Sequence, residues 1–531
     1  MKTCLFLASV SAALALVSGP VQSDETANKN QAVGRVKFAS SCEPAVQPML
    51  ETGVAMLHSF WYSATEKTFR DVLAQDPGCT VANWGIAAIL MTNPLAGQGA
   101  SPKGATDAQA AIEQGRSVPP KTQRERDYID AVAAYYQDFA TRPERSRQES
   151  REKAFEALAA RYPDDDEAQI FSALYIAGTQ SQADQSFAAY RKASGILEKM
   201  FAKYPDHPGV AHYLIHSYDA PPIAKQGLPA AHRYASLAPA APHALHMPSH
   251  IFTRVGAWED SAAANKRSAE VAKAAGDDTE VYHASDYMVY AYLQTARDED
   301  ARRAMEEAGK AGRSNPAQAI PYAFAAMPAR YAIERGAWRE AMQLQPQPTK
   351  FPFTDAITYF ARALGAARSG DTAAAEKDAA ELTRLHQMLQ EAKNSYWATE
   401  VEIQRLAVAG WIALAGGKTD DALKFMTAAA DLEDRNEKHI VTPGRIVPAR
   451  ELLGEMLMEL KQPAQALKEF EASQLREPNR FRGYYGAGRA AEAAGDRSKA
   501  ADHYARMMEL TGKADSPRPE IALARAYVAQ R

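Results

Sequence analysis

The sequence lacks the local motifs of several large enzyme classes. It contains no Gly-x-Ser-x-Gly elbow, no phosphate-binding or dinucleotide-binding glycine loop and no His-Glu-x-x-His pair. The cysteines Cys42 and Cys79 do not stand in a nucleophile motif. These absences argue against serine and cysteine hydrolases, against nucleotide-binding enzymes and against metalloproteases that use a glutamate base beside the first histidine.

Long apolar runs and an excess of basic charge are also missing. Beyond the N-terminus, no stretch reaches the roughly 18 continuous apolar residues of a membrane helix. The formal net charge is −4, and the basic residues are evenly spread. We therefore expect no membrane span and no nucleic-acid partner.

Residues 1–23 have one lysine, an apolar run and small residues at Val21 and Ser23, as in a secretory signal cleaved after Ser23. Removing them takes away one lysine and no acid, so the net charge moves from −4 to −5. We expect an exported protein, either periplasmic or secreted. In an oxidising compartment the remaining pair, Cys42 and Cys79, is expected to form a disulfide, and the alternative is two buried thiols.

The remaining chain is predicted to be all-α, because alanine is abundant and strand-like alternation is nearly absent. Two recurring patterns support a repeat. Glycine, alanine and an aromatic at Gly454, Ala466 and Phe470 recur at Gly488, Ala500 and Tyr504, an interval of about 34 residues that is typical of one helix-turn-helix unit. A turn glycine is followed by a small residue five positions on at Gly256/Ser261, Gly336/Ala341, Gly370/Ala375, Gly417/Ala422 and Gly495/Ala500.

The segments GEMLMELKQPAQALKEFEASQLREP and GAGRAAEAAGDRSKAADHYARMMEL resemble tetratricopeptide repeats (TPRs). The resemblance covers most of residues 45–515. It implies an α-solenoid of helix-turn-helix units, wound into a right-handed superhelix whose concave face binds a protein or peptide. We divide the chain into an N-terminal segment (24–44), a degenerate array with a histidine-rich centre (45–345), a C-terminal array (346–515) and a tail (516–531).

Three stretches interrupt the helical pattern: 92–106, 343–354 and 432–449. Long loops in compact proteins are often lids or binding segments. Simple inserts between repeats are an equally good interpretation.

Histidine is concentrated in one region, since eight of the twelve histidines lie between Pro205 and Asp286. His212, His216 and Asp219 stand at i, i+4 and i+7, on one helix face. Two imidazoles and a carboxylate suit a transition metal such as zinc, iron or copper. The alternative is that these side chains line a groove or pack between helices.

A second group follows at His243, His246 and His250. One repeat length separates His216 from His250, and His283 follows at nearly the same interval, with Asp286 one turn on. In a solenoid with units of this length, such positions lie on neighbouring helices. The spacing therefore predicts a histidine ladder, which either binds metal or forms a polar groove.

We expect a scaffold that binds a protein or peptide ligand and whose histidine cluster binds a transition metal. A metal-dependent enzyme, hydrolytic or oxidative, is the main alternative; copper trafficking or storage, suggested by Met247, is another. The sequence does not indicate an oligomeric state. The candidate groove residues are His58, Trp61, Tyr62, Tyr213 and Tyr287.

Overall fold

The computed structural model describes residues 33–118, 121–313 and 319–530. These ranges are α-helical, as predicted, and contain no β-strand. The predicted signal segment, 1–23, lies outside the described residues. Within the described ranges, no helix is long and apolar enough to cross a membrane.

In the described ranges the helices follow one another, mostly with short connections. Up to residue 255 they are α1 (Gln47–His58), α2 (Tyr62–Gln75), α3 (Ala82–Leu90), α4 (Pro102–Ser117), α5 (Gln123–Tyr136), α6 (Glu144–Arg161), α7 (Asp166–Ala177), α8 (Ala188–Lys203), α9 (Pro208–Ser217), a 3₁₀ turn (Ala224–Gly227), α10 (Leu228–Leu237), α11 (Pro242–His246) and α12 (Pro248–Val255). They continue with α13 (Trp258–Ala275), α14 (Asp278–Gln294), α15 (Asp298–Ala308), α16 (Ala319–Glu334), α17 (Trp338–Met342), α18 (Pro352–Arg368), α19 (Thr372–Glu391), α20 (Ser395–Ala415), α21 (Thr419–Asp434), α22 (Ala449–Glu459), α23 (Pro463–Arg476), α24 (Phe481–Ala493), α25 (Arg497–Leu510) and α26 (Pro519–Ala529).

The helices pack as hairpins that stack along the chain. Sequence neighbours such as α13 and α14, α18 and α19, or α20 and α21 contact each other along their lengths. The first helix of one pair also contacts the first helix of the next, as α16 does with α18 and α18 with α20. This pattern is that of the predicted TPR-like solenoid.

The turn glycines confirm the predicted helix boundaries. Gly256, Gly336, Gly370, Gly417 and Gly495 all have φ between 64° and 84°, the left-handed region that ends a helix. The small residues five positions later are fully buried. They allow the two helices of each pair to approach closely.

Two of the predicted interruptions are shorter than expected. Helix α4 begins at Pro102, because the Ser101 hydroxyl accepts a hydrogen bond from the Gly104 amide at 3.0 Å and caps the helix. Helix α18 begins at Pro352, again with proline in the first turn. Each of these two prolines is the first residue of a helix.

The third interruption, residues 435–448, forms a buried non-helical strap, which we call the inner segment. Its contacts reach the first helices of several pairs. The Tyr287 hydroxyl of α14 donates to the Thr442 carbonyl at 3.0 Å, and Arg330 of α16 donates to the Gly444 carbonyl at 3.0 Å. The inner segment thus covers the inner face of the stack at its centre, and its backbone polar groups find partners there.

Two further links fix the N-terminal and C-terminal regions. Cys42 and Cys79 form the predicted disulfide, with Cα atoms 4.5 Å apart, and tie the residues before α1 to those before α3. The Trp258 indole donates to the Asn479 carbonyl at 2.6 Å, so the C-terminal repeats dock against the turn before α13.

Candidate metal centre

Six histidines meet where α9, α11, α12 and α14 adjoin. Prolines set the starts of the helices that carry five of them: Pro208 opens α9, Pro242 opens α11 and Pro248 opens α12. Met247 between α11 and α12 keeps helical angles (φ −52°, ψ −39°), so the two helices form one nearly continuous path. The six histidines are His212, His216, His243, His246, His250 and His283.

The first group consists of His212, His216 and His243. The Nε2 atoms of His212 and His216 are 3.1 Å apart, and the rings of His212 and His243 are 5.2 Å apart. One ring nitrogen from each residue lies within 4.8 Å of the other two. Three imidazoles from α9 and α11 therefore converge on one point.

The second group consists of His246, His250 and His283. The Nε2 atoms of His246 and His250 are 3.0 Å apart, and the His283 ring lies 4.2 Å from that of His246. The three donor atoms again lie within 4.8 Å of one another. With metal–nitrogen bonds of about 2.0–2.1 Å, ligand angles of about 90° to 109° separate two nitrogens by roughly 2.9–3.4 Å. Both pairs have the spacing of two ligands on one ion.

Hydrogen bonds behind the second group determine which nitrogens carry protons. His246 Nδ1 is 2.6 Å from Asn265 Oδ1, and the Asn265 amide donates to the Ser261 carbonyl, which orients the side chain. His250 Nδ1 is 2.8 Å from the Asp219 carboxylate. Because both oxygens can only accept, each Nδ1 carries the proton. The two Nε2 atoms that face each other are therefore bare in the neutral rings.

The first group is fixed by a backbone contact and contains unpaired nitrogens. His212 Nδ1 donates to the His58 carbonyl at 2.6 Å, which leaves its Nε2 bare. Among the described residues, His216 Nδ1 and His243 Nε2 are buried atoms without a hydrogen-bond partner. Buried polar atoms are normally paired, so these two nitrogens indicate that a binding partner is missing at this group.

Burial favours the neutral form of five of these imidazoles: His212, His216, His246, His250 and His283. It lowers the pKa of His212, His216 and His246 well below the ordinary value, and neighbouring histidines lower it further. Burial also lowers the pKa of His283 to about 3, against the opposing effect of Glu280. Neutral imidazole is the form that binds metal.

The two aspartates expected as ligands have other partners. Asp219 accepts from His250 Nδ1, from Arg254 Nε at 2.7 Å and from Lys438 Nζ at 3.1 Å. It stands behind His250 and orients that ring, as outer carboxylates do in metal sites. Asp286 forms a buried salt bridge with Arg330. Both carboxylates are engaged by cations.

His58 and Tyr213, expected in a groove, lie in a closed network. His58 Nε2 donates to Glu167 at 2.9 Å, and His207 Nε2 donates to the same carboxylate at 2.8 Å. The Tyr213 hydroxyl therefore donates to His58 Nδ1, at 2.9 Å. Burial would raise the pKa of Glu167, but His207 and His58 lower it to about 2. The network holds the His58 carbonyl in place for His212.

The other groove candidates differ in exposure. Tyr287 is fully buried, and its ring lies 4.7 Å from that of His246 and 5.1 Å from that of His250. Trp61 is half-buried against the N-terminal core, whereas Tyr62 is 39% exposed. Of the five residues, Tyr62 alone reaches the surface substantially.

The least buried part of the centre lies near Glu280. Its Oε2 is 3.3 Å from His243 Nδ1, and its Oε1 is buried without a hydrogen-bond partner in the described ranges. His283 on the next turn of α14 is 9% exposed. A carboxylate at the rim can exchange protons with whatever reaches the histidines.

Sequence reasoning missed five residues that shape the centre: Glu167, Arg254, Asn265, Glu280 and Lys438. Glu280 precedes His283 by three positions, a spacing that places both on one helix face. Arg254 likewise follows His250 by four positions on α12. The other three come from separate elements, and no local spacing connects them to the histidines.

No protein-family model and no curated protein sequence matches the chain. Similar solved structures include the APC/C hetero-tetramer Cut9-Hcn1 (12% identity, 77% of this chain and 83% of that chain, TM-score 0.31). Human IFIT1 in a dimer with PPP-AAAA has 12% identity over 82% of this chain and 91% of its own, with TM-score 0.39. Yeast Tom70 has 12% identity over 91% and 88%, with TM-score 0.30. At these scores the likenesses do not indicate a function, and the fold assignment rests on the contacts within the chain.

Proposed function

We propose that this chain is a metalloprotein whose TPR-like solenoid holds a transition metal in a buried, all-histidine centre. One observation carries the proposal: His246 and His250 point bare Nε2 atoms at each other across 3.0 Å, while their Nδ1 protons are engaged elsewhere. Two facing lone pairs repel unless a cation lies near both. A metal ion is the cation that neutral imidazoles bind best.

Three protein ligands favour a reactive site over a purely structural one. Structural zinc sites generally use four protein ligands, whereas catalytic sites keep one position for water or substrate. The second group offers three imidazoles, and the nearby Asp219 oxygens have other partners. We therefore favour a metal-dependent enzyme that acts on a small ligand, because the centre is buried.

The inner segment argues against peptide binding at this point of the solenoid. The inner face, where TPR arrays would bind a peptide, is covered there by residues 435–448 of the same chain. A protein or peptide partner stays a prediction, for surfaces away from the centre. Export to the periplasm or the medium stays a prediction as well.

The test is metal analysis of mature protein, purified without chelator and reconstituted with each candidate metal. We expect the wild type to retain metal through desalting. The His246→Ala/His250→Ala variant should lose the metal ion bound by the second group. Bound metal should also raise the melting temperature, since a ligand at about 1,000 times its Kd stabilises by roughly 4 kcal/mol.

His232→Ala is the matched control, because His232 lies exposed on the neighbouring α10. It should retain wild-type metal content. If reconstituted wild type holds no metal above this background, or if the double variant keeps the full amount, the proposal is wrong.

A further inference from the structure

The two histidine groups repeat each other at the period of the solenoid. His212 and His216 are replaced by His246 and His250 one repeat length further along the chain. Both pairs have the i, i+4 spacing, and both bring their Nε2 atoms to within 3.0–3.1 Å. Each pair takes its third histidine from the next inner helix, His243 of α11 and His283 of α14. The chain therefore carries two similar three-histidine groups, in which the pairs follow the repeat period and the third histidines do not.

The two sites share a wall. The rings of His216 and His250 are 5.5 Å apart, and those of His243 and His246 are 5.8 Å apart. Among the described residues, the first group contains a buried ring nitrogen without a hydrogen-bond partner, His243 Nε2. The first group therefore shows its own sign of a missing ligand, independent of the second. Ions in the two groups would be neighbours.

The charge of the surrounding side chains can be compared with the charge that each candidate metal ion would bring. Neutral imidazole ligands compensate no positive charge, and the Asp219 carboxylate is already paired with Arg254 and Lys438. The Glu280 carboxylate beside His243 can offset one charge. Two zinc or iron(II) ions would bring four positive charges into this buried site, whereas two copper(I) ions bring two and reach four only on oxidation. Burying uncompensated charge is costly, and imidazole binds copper well. Among candidate metals, copper(I) fits this donor set best.

We propose that the centre is dinuclear, with one copper ion in each three-histidine group, and that this pair reduces dioxygen. The proposal rests on the metalloprotein function proposed above. Each copper(I) loses one electron; one dioxygen molecule takes up these two electrons and two solvent protons and leaves as hydrogen peroxide. Dioxygen is small enough for a buried site, and copper is a cofactor of dioxygen chemistry.

The first experiment counts copper. Metal-free protein is titrated anaerobically with copper(I) against a chromogenic chelator, and wild type should bind two equivalents. His212→Ala/His216→Ala and His246→Ala/His250→Ala should each bind one, and His232→Ala should bind two. Circular dichroism checks that each variant is folded.

A milder variant protects the test against misfolding. His243 lies at the rim, with its side chain 14% exposed. His243→Ala should weaken one of the two copper sites and leave the other unchanged. A wild type that binds one copper, lost in either double variant, would overturn the dinuclear site and keep the metalloprotein. A wild type that binds none would overturn both, and zinc that displaces stoichiometric copper(I) would overturn the copper assignment.

The second experiment measures oxygen. Dicopper(I) protein, freed of excess reductant, is mixed with air-saturated buffer in an oxygen electrode. We expect one dioxygen consumed and one hydrogen peroxide released for every two coppers, and a loss of this fast uptake in either double variant. Two bound coppers without oxygen uptake would overturn the proposed reduction step.

Discussion

The C-terminal array and the central region use the same helix-pair scaffold in opposite ways. In α22–α24, Gly454 of α22 and Gly486 of α24 face the Phe470 ring of α23, which fills the space between these helices. A Cβ atom at either glycine would lie within 2.8 Å of that ring. In α9–α14 the same period carries histidine pairs. Between its helices the array packs an apolar ring at these positions, whereas the centre packs polar side chains around one another.

This difference has an energetic consequence. The C-terminal array is stabilised by apolar burial, which needs no partner outside the helices. The centre contains buried imidazole nitrogens that face each other or lack a hydrogen bond, and such groups are costly. We infer that a bound ion stabilises the centre and does not change the stability of the C-terminal array.

The largest expected effect on stability comes from removing a buried aromatic ring from the C-terminal array. Phe470 is buried, and Phe470→Ala should lower the free energy of unfolding by about 3–5 kcal/mol, through lost burial and the cavity left behind. Metal content at low temperature should stay at the wild-type level, because the residue is far from the histidines in the repeat order. Urea unfolding and metal analysis on the same sample give both numbers.

Leu475→Ala is the control for this substitution. Leu475 is 82% exposed in the same helix, α23, so the change should be within about 0.5 kcal/mol. If Phe470→Ala removed the metal from protein that is still folded, the separation of the two regions would fail.

The second prediction concerns acid stability through the inner segment. His439 stacks on Trp397, with ring centroids 5.1 Å apart, and burial together with Lys438 lowers the pKa of His439 to about 4. The unfolded chain, with its ordinary pKa near 6.5, binds the proton first. The stabilisation is therefore present at neutral pH and is lost as the pH falls from about 6.5 to about 4. At about 1.4 kcal/mol per pH unit, the loss approaches roughly 3 kcal/mol.

Urea unfolding of metal-free protein at pH 7 and pH 4.5 measures this loss. His439→Gln should have the smaller decrease, by about 2–3 kcal/mol. His386→Gln, on α19 outside the inner segment, should decrease as the wild type does. Equal decreases in wild type and His439→Gln would show that His439 is not responsible.

The repeat period explains what the sequence could predict of the centre. The spacing of His216 and His250 by one repeat predicted neighbouring helices, and their rings are 5.5 Å apart. The position of His283 followed in the same way, 6.4 Å from His250. Turn glycines likewise predicted helix ends, because a left-handed residue is a local requirement.

The direction of Asp219 could not be predicted. Its spacing from His212 and His216 is that of a ligand, yet it binds Arg254 and Lys438. Lys438 stands far along the chain, in the inner segment, where no helical period exists to place it. Local spacing predicts which side chains share a face, and it does not predict which long-range cation occupies an oxygen.

The smallest expected effect concerns metal affinity and tests whether Asn265 fixes the tautomer of the His246 ring. Asn265 of α13 holds the His246 proton on Nδ1, so that Nε2 is bare toward His250. Asn265→Leu removes the acceptor and frees the ring to change tautomer, and outer partners of this kind are worth about 10–100-fold in metal affinity. Asn265→Asp keeps an oxygen at that position and should preserve the affinity in competition with a chromogenic chelator. If the Leu and Asp variants bind metal equally well, then the tautomer of His246 does not control binding, and the facing lone pairs lose their role in the centre.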